Sequence, residues 1–160
     1  MAIEKVREYL KKYGKDKDIK EFDVSSATVE LAAEALGVEP SRIAKSMSFK
    51  NLKGGGCILI VTSGDAKIDN AKFKNRFGFK ASMLGFDEVG KFTGHDVGGV
   101  CPFANPDGIK KYLDISLKRF ESIFPACGSD NSAIELTPEE LFGIAEGLEW
   151  VDVCKGWNGQ

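Results

Sequence analysis

The amino-acid sequence predicts a single mixed α/β domain with a large, partly antiparallel sheet. Apolar residues at helical spacing alternate along the chain with short apolar runs that are typical of strands. At 160 residues the chain fits one domain, residues 1–160, and can bury a substantial core. No strict βαβ alternation is visible and no G-x-G-x-x-G follows a first strand. The sequence therefore does not favour a dinucleotide-binding fold.

The first 42 residues predict two helices, a strand between them and a short helical turn. Apolar residues recur at helical spacing over 3–13, and Gly14 follows as a stop signal. Residues 19–24 have the composition of a strand. Ser26 is a suitable N-cap for a helix through residue 36, because its hydroxyl can accept a hydrogen bond from the first turn. Pro40 begins a short helical turn.

The middle of the chain contains the strongest strand signals. Residues 44–50 look extended, and 57–62 form an apolar run typical of a central buried strand. Three glycines at 54–56 predict the turn between them. Asp69 is a suitable N-cap for a helix over 70–77.

Shorter patterns follow towards the C-terminus. They predict a strand over 80–84, a helix over 87–92, a strand near Val100, a strand over 111–115, an extended piece over 134–136 and a last strand over 149–154. One local signal is specific. Thr137 precedes Pro138 and lies three residues before Glu140, which predicts a helix that starts with a capping box.

Composition excludes several functional classes. The formal charge of −2 does not indicate a general nucleic-acid binder, although a local basic patch is compatible with it. The N-terminus has no signal-peptide core and no apolar run reaches membrane-spanning length, so we expect a cytoplasmic protein with no membrane partner. The four cysteines are widely spaced and form no C-x-x-C pair, so we expect free thiols, no metal site and no cofactor. They are Cys57, Cys101, Cys127 and Cys154.

The segment 94–102 carries the most information about function. It holds three glycines and one proline, which describe a shaped, exposed loop whose backbone groups can meet a ligand. A tight turn or bulge between two strands would have the same composition. The loop also contains Cys101 and the chain's one histidine, His95, so a thiol nucleophile with a histidine base is an alternative.

Lys45 is the second residue of interest. In an extended segment it shares a face with Met47 and Phe49, which we expect to point inward. A lysine at that position must reach water, a partner or a ligand, because burying an unpaired ammonium group is costly. It can also extend to solvent at the sheet edge, which is the common fate of lysine side chains.

Several ordered motifs resemble one known family. The glycine loop has the pattern G-x-x-x-G-G-x-x-P, formed by Gly94, Gly98, Gly99 and Pro102. The other matching segments are 28–38, 42–49, 58–65, 128–130 and 134–141. These motifs resemble the YbaK and prolyl-tRNA synthetase editing-domain family, and the resemblance extends over nearly the whole chain. The resemblance implies a YbaK-like fold, in which a large mixed, partly barrel-like sheet is surrounded by helices.

The resemblance also implies an activity: hydrolysis of the ester bond of mischarged aminoacyl-tRNA, with tRNA(Pro) carrying a wrong amino acid as the expected substrate. The chain lacks the rest of a synthetase, so the resemblance implies an enzyme that acts in trans, with prolyl-tRNA synthetase as a further partner. Some editing members carry an arginine-glycine pair and an acidic residue before the isoleucine of the last motif. This chain has Asp130, Asn131 and Ala133 there, which leaves its amino-acid specificity open.

The site residues follow from the same resemblance. Lys45 is the catalytic residue. The expected substrate-binding residues are Thr28, His95, Gly98, Gly99, Val100, Pro102, Ser129 and Asp130. A basic run around the predicted helix 70–77 is suited to tRNA phosphates, although a solvated helix face fits it equally well. It comprises Lys67, Lys72, Lys74, Arg76 and Lys80.

Two other functions stay open at the level of sequence. One is a binding module that keeps the fold and holds aminoacyl-tRNA or a small aminoacyl ligand without cleaving it. The other is a thiol hydrolase that uses Cys101. The first would leave the ester intact, and the second would be blocked by thiol alkylation.

Overall fold

The computed structural model describes residues 2–158, and the predicted domain 1–160 extends beyond them at both ends. Five α-helices lie within the described residues. They are α1 Ala2–Lys11, α2 Val29–Leu36, α3 Asn70–Phe77, α4 Phe86–Thr93 and α5 Pro138–Ile144. The strands are β1 Lys20–Glu21, β2 Ile43–Lys50, β3 Cys57–Ser63, β4 Lys67–Ile68, β5 Lys110–Asp114, β6 Phe124–Pro125, β7 Ser132–Ala133, β8 Glu149–Val151 and β9 Cys154–Lys155.

The main sheet has five strands in the order β6-β2-β3-β5-β8. β2 and β3 are antiparallel, whereas the β2–β6, β3–β5 and β5–β8 pairs are parallel. Every residue of β3 is buried, as expected for a central apolar strand. Two small antiparallel pairs, β1–β7 and β4–β9, flank the sheet. The predicted fold class, a mixed α/β domain, is confirmed.

Helices cover both faces of the sheet. On one face, α1 and α5 contribute Val6, Leu10 and Leu141 to a core that includes Val61 of β3. On the other face, Phe73 of α3 packs in a second cluster with β3 and β5. Because successive side chains of a strand point to opposite faces, neighbouring residues of β3 serve different cores.

The signals for local capping agree with the structure. Asp69 accepts hydrogen bonds from the backbone of the first turn of α3. Thr137 and Glu140 form the predicted capping box at α5, with Pro138 in its first turn. The N-cap of α2, however, is Thr28 and not Ser26, since the Thr28 hydroxyl accepts the N–H of Leu31 at 3.2 Å.

Four strand predictions are wrong in part. Of the predicted strand 19–24, only residues 20–21 form β1. No strand forms near Val100, because the whole segment between α4 and β5 is irregular. Residues 80–84 form only one bridge, between Phe49 and Met83. The predicted strand 149–154 is divided into β8 and β9, which belong to different sheets. Asp114 supports this break, because its Oδ1 accepts the N–H of Val153 at 2.9 Å in place of a strand partner.

Candidate functional site

A cleft opens where the outer edge of β2 is interrupted. Residues 43–44 pair with β6, and residues 48–50 bond with the segment 82–84. Between them, at Ser46, no strand within the described residues pairs with this edge. The cleft has a volume of about 220 Å³. Its remaining walls come from the loop before α2, the glycine loop, and residues of and next to β6 and β7.

Lys45 is the one titratable side chain among the residues that line this cleft. It is half-buried, and within the described part of the chain its ammonium has no hydrogen-bond or ion-pair partner. Burial lowers the pKa of Lys45 below the ordinary 10.5, although nearby Asp65 and Glu30 oppose that shift. Asp65 is itself bound to Arg119. The cleft wall therefore carries a positive charge that no described residue neutralises by direct contact.

The glycine loop contributes Gly98 and Val100 to the cleft. Gly98 has φ +98°, a conformation that L side chains rarely adopt. A Cβ on Gly98 would lie 3.3 Å from the Cβ of Ala27, across the cleft mouth. In residues 2–158, neither the N–H of Gly98 nor that of Val100 has a hydrogen-bond acceptor. Two backbone donors are thus available next to the Lys45 wall.

Gly99 has a packing role. Its N–H donates to the carbonyl of Asp96 at 3.0 Å, which closes a turn. A Cβ on Gly99 would lie 2.8 Å from the backbone of Gly128 and of Ser129. Gly99 does not line the cleft. Its lack of a side chain lets the glycine loop lie directly against the 128–129 turn, which fixes the loop's height above the sheet.

Two residues that sequence reasoning missed hold the loop in place. Asn105 donates from Nδ2 to the carbonyls of Thr93 and Cys101, at 2.7 and 3.0 Å. Lys111 of β5 is buried, and its Nζ donates to the carbonyl of Pro102 at 3.2 Å. Burial lowers the pKa of Lys111. A lysine in a strand pattern predicts exposure, so only the fold shows that this one binds the loop.

His95 and Cys101 are in contact but lie inside the protein. The Cys101 Sγ is 3.4 Å from His95 Nε2, and both residues are at most 1% exposed. The same Nε2 lies 2.7 Å from the carbonyl of Phe103, so it carries the proton and donates to that oxygen. Burial raises the pKa of the Cys101 thiol to about 12. These features oppose a thiolate nucleophile, which requires access and a lowered pKa.

Of the other predicted substrate-binding residues, Thr28 lines the cleft, whereas Pro102, Ser129 and Asp130 do not. The Thr28 hydroxyl also caps α2. Asp130 is exposed, and its carbonyl accepts the N–H of Ser26 at 2.6 Å, which joins the loop before α2 to the C-terminal motif. The Ser129 hydroxyl bonds with that of Ser132 at 2.6 Å. Pro102 is buried beneath the loop.

The basic run lies outside the cleft, and two of its members are neutralised. Lys72 pairs with Asp152 at 3.2 Å, and Arg76 pairs with Glu149. Three lysines are exposed and have no ion-pair partner in the part of the chain that the structure describes. These three are Lys67, Lys74 and Lys80. Lys67 is also close enough to Lys45 to affect its pKa.

The described residues offer neither a metal site nor a membrane-spanning helix. Among residues 2–158, no group of three or more histidine, cysteine, aspartate or glutamate side chains is arranged to hold a metal ion. None of the described helices combines the length and the apolar character that crossing a membrane requires.

Comparison with known proteins identifies the family. The model of the aminoacyl-tRNA editing domain matches residues 23–144, and the chain belongs to this family. The matched region contains the cleft, Lys45 and the glycine loop. Family membership, together with the relatives below, supports an aminoacyl-tRNA deacylase-type function.

Three relatives show how far the similarity extends. YwhH of Bacillus subtilis (strain 168), whose name assigns no activity, is 55% identical over 158 residues, which cover 99% of this chain and all of YwhH. EbsC of Enterococcus faecalis, a candidate Cys-tRNA(Pro)/Cys-tRNA(Cys) deacylase, is 27% identical over 75% of this chain and 73% of its own. The crystal structure of a candidate trans-editing enzyme for prolyl-tRNA synthetase superimposes with a TM-score of 0.86, at 28% identity over 97% of this chain and 98% of its own.

Proposed function

We propose that this protein hydrolyses the ester bond of mischarged aminoacyl-tRNA in trans, and that its substrate is tRNA(Pro) carrying a wrong amino acid. One observation carries the proposal. An unpaired, half-buried ammonium, that of Lys45, lies in the same cleft as the unpaired N–H groups of Gly98 and Val100. A cation and two backbone donors around a small cleft suit an ester whose carbonyl oxygen becomes negative during hydrolysis.

The chemistry needs little beyond positioning. A water adds to the ester carbonyl carbon, and the N–H groups of the glycine loop stabilise the oxyanion that forms. The bond between that carbon and the ribose oxygen then breaks, the ribose oxygen gains the proton that the water loses, and the amino acid leaves. Among residues 2–158, no carboxylate or imidazole lines the cleft. The proton therefore moves through water or through the neighbouring ribose hydroxyl of the substrate.

Contacts with the rest of the tRNA are local in this proposal. The exposed lysines Lys67, Lys74 and Lys80 supply charge for phosphates, whereas Lys72 and Arg76 are available only if their ion pairs open. Since the chain carries a net charge of −2, overall attraction to RNA is weak. Delivery of the tRNA by prolyl-tRNA synthetase would compensate for this, and the similarity to a trans-editing enzyme for that synthetase supports such a partner. We place this work in the cytoplasm, where tRNA is charged.

The same cleft supports a second function, a module that binds aminoacyl-tRNA without cleaving it. The observation in its favour is that Lys45 is the one titratable group in the lining. Under this alternative the ester would be held but not hydrolysed. A thiol hydrolase is opposed by the burial of Cys101 and by the raised pKa of its thiol.

A deacylation assay with the purified protein separates these functions. The substrates are tRNA(Pro) charged with alanine, serine, cysteine or proline, and the same wrong amino acids on a tRNA of another specificity. We expect hydrolysis of the mischarged tRNA(Pro) and survival of prolyl-tRNA(Pro). Binding of mischarged tRNA(Pro) without loss of the ester would support the module instead. If the protein neither binds nor hydrolyses any of these substrates, the proposed function is wrong.

A further inference from the structure

Two serine hydroxyls in the cleft have no partner. Ser26 is 8% exposed and Ser46 is half-buried, and the Oγ atoms of both are shielded from solvent. Within residues 2–158, neither oxygen makes a hydrogen bond. A buried hydroxyl without a hydrogen bond is unfavourable, because it has lost its bonds to water and gained none, so each such group calls for an explanation. Both serines line the cleft that contains Lys45.

The local structure explains why both hydroxyls are free. Thr28 has taken the capping position of α2, so the Ser26 side chain is not needed there. The Ser26 backbone is nevertheless fixed, because its N–H donates to the Asp130 carbonyl at 2.6 Å. Ser46 lies at the interruption in the edge of β2, where no strand of the described chain supplies a partner.

The rest of the lining limits what these hydroxyls can bind. Most other side chains in the cleft are apolar, including Val29, Ile43 and Phe124. The volume of about 220 Å³ is below the ~300 Å³ at which pockets for drug-sized ligands begin, so the cleft suits one small group. The positive charge of Lys45 disfavours placing the substrate's α-ammonium there. A small neutral group that can donate and accept hydrogen bonds fits two serine hydroxyls.

We propose that Ser26 and Ser46 select the amino acid, and that the cleft takes a small aminoacyl group with a hydroxyl or thiol on its β-carbon, such as seryl, threonyl or cysteinyl. This inference rests on the proposed function. The two serines hydrogen-bond the substrate's side chain, and alanyl, which lacks the hydroxyl, leaves both unsatisfied. A site built to bond a substrate hydroxyl discriminates strongly against the analogue without it.

The test compares kcat/KM for seryl-tRNA(Pro) and alanyl-tRNA(Pro) in the wild type, Ser26→Ala, Ser46→Ala and the double variant. We expect a wild-type preference for seryl of at least about 10-fold, and a loss of about 3- to 10-fold in that preference for each single variant, as one neutral hydrogen bond predicts. Ser82→Ala, a half-buried serine outside the cleft, is the matched control and keeps the preference. Because both hydroxyls are unpaired, we also expect neither variant to lower the free energy of unfolding.

Equal wild-type rates on the two substrates would overturn this inference and leave the proposed function intact. So would variants that change both substrates by the same factor. If no charged tRNA is hydrolysed, the proposed activity fails, and the cleft is then tested by binding alone. The probes are 3′-seryl and 3′-alanyl amides of 3′-amino-3′-deoxyadenosine, which cannot be hydrolysed as esters. Tighter binding of the seryl amide, lost in the double variant, supports the selection, and equal Kd values reject it.

Discussion

The cleft and the α3 side of the domain differ in whether their polar side chains have bonding partners. On the α3 side three cations are paired with carboxylates, whereas Lys67, Lys74 and Lys80 are exposed to solvent. The pairs are Lys72–Asp152, Arg76–Glu149 and Arg119–Asp65. In the cleft, the ammonium of Lys45 and the hydroxyls of Ser26 and Ser46 have no partner in the described residues. The paired cations already have their partners within the fold. The unpaired groups of the cleft are free to bond with a ligand.

Whether a cation is paired is better evidence for a functional site than the residue type alone. The cleft has one lysine, Lys45, whereas the basic run around α3 has several and looks more suited to RNA from sequence. Surface ion pairs contribute only about 0–1 kcal/mol each, but they also reduce the charge available to a phosphate. An unpaired half-buried cation, in contrast, is a cost to the folded state. We therefore look for function first at Lys45.

The largest expected effect comes from Lys45→Met. Removing the cation should lower kcat/KM for mischarged tRNA(Pro) at least about 100-fold, the scale for losing one electrostatic contact to a developing charge. Because burial disfavours the charged form of Lys45, we expect no decrease in the free energy of unfolding. Lys118→Met removes an exposed lysine that already lies over the Trp150 ring, and is the control expected to keep activity. Wild-type turnover by a folded Lys45→Met protein would remove Lys45 from the mechanism.

The second effect concerns the glycine loop. Gly98 and Gly108 both have positive φ, +98° and +89°, so alanine strains either backbone by about 1–2 kcal/mol. Only at Gly98 would the new Cβ meet a neighbour across the cleft mouth, Ala27; at Gly108 nothing lies within 4 Å. We expect Gly98→Ala to lose about 10- to 100-fold in kcat/KM, as displacement of a positioning loop does, and Gly108→Ala to lose little.

Denaturant unfolding measures the stability of Gly98→Ala and Gly108→Ala, and deacylation assays measure their activity. Similar losses of stability with different losses of activity would support the role of the loop in the cleft. If the two variants lose activity equally, backbone strain alone explains the result, and the N–H groups of Gly98 and Val100 have no special role.

Local chemistry determined how much of the fold could be predicted. The N-cap of α3 at Asp69 and the capping box of α5 are complete within four residues, so sequence alone predicted both. Ser26 and Thr28 are both suitable N-caps two residues apart. Thr28 is the cap, while the N–H of Ser26 donates to the carbonyl of Asp130, more than 100 residues away. Such a bond leaves no local pattern.

The same reasoning applies to the site. Lys45 could be singled out because strand periodicity placed it with inward-facing neighbours, and the glycine loop because its composition is unusual. The interruption in the β2 edge depends on where β6 and the 82–84 segment stop pairing, which is a non-local property. The loop-holding residues Asn105 and Lys111 were missed for this reason, since their partners are backbone carbonyls of a segment wrongly expected to become a strand.

The smallest effect concerns a paired group that lies outside the cleft, Glu140 in the capping box of α5. Hydrogen bonds from the Thr137 backbone and from Lys15 lower the pKa of Glu140 below the ordinary 4.5. A carboxyl whose pKa is lowered by folding stabilises the protein above the unfolded-state value, and this contribution disappears as pH falls through the folded-state value. Glu140→Gln keeps an oxygen for the Thr137 N–H but loses the charge opposite Lys15, so we expect it to lower the free energy of unfolding by about 0.5 kcal/mol at pH 7. Denaturant unfolding at pH 7 and pH 3 should show that difference shrinking at the lower pH, with deacylation at pH 7 unchanged. A change in activity comparable to that of Lys45→Met would contradict the distinction between the paired groups and the cleft.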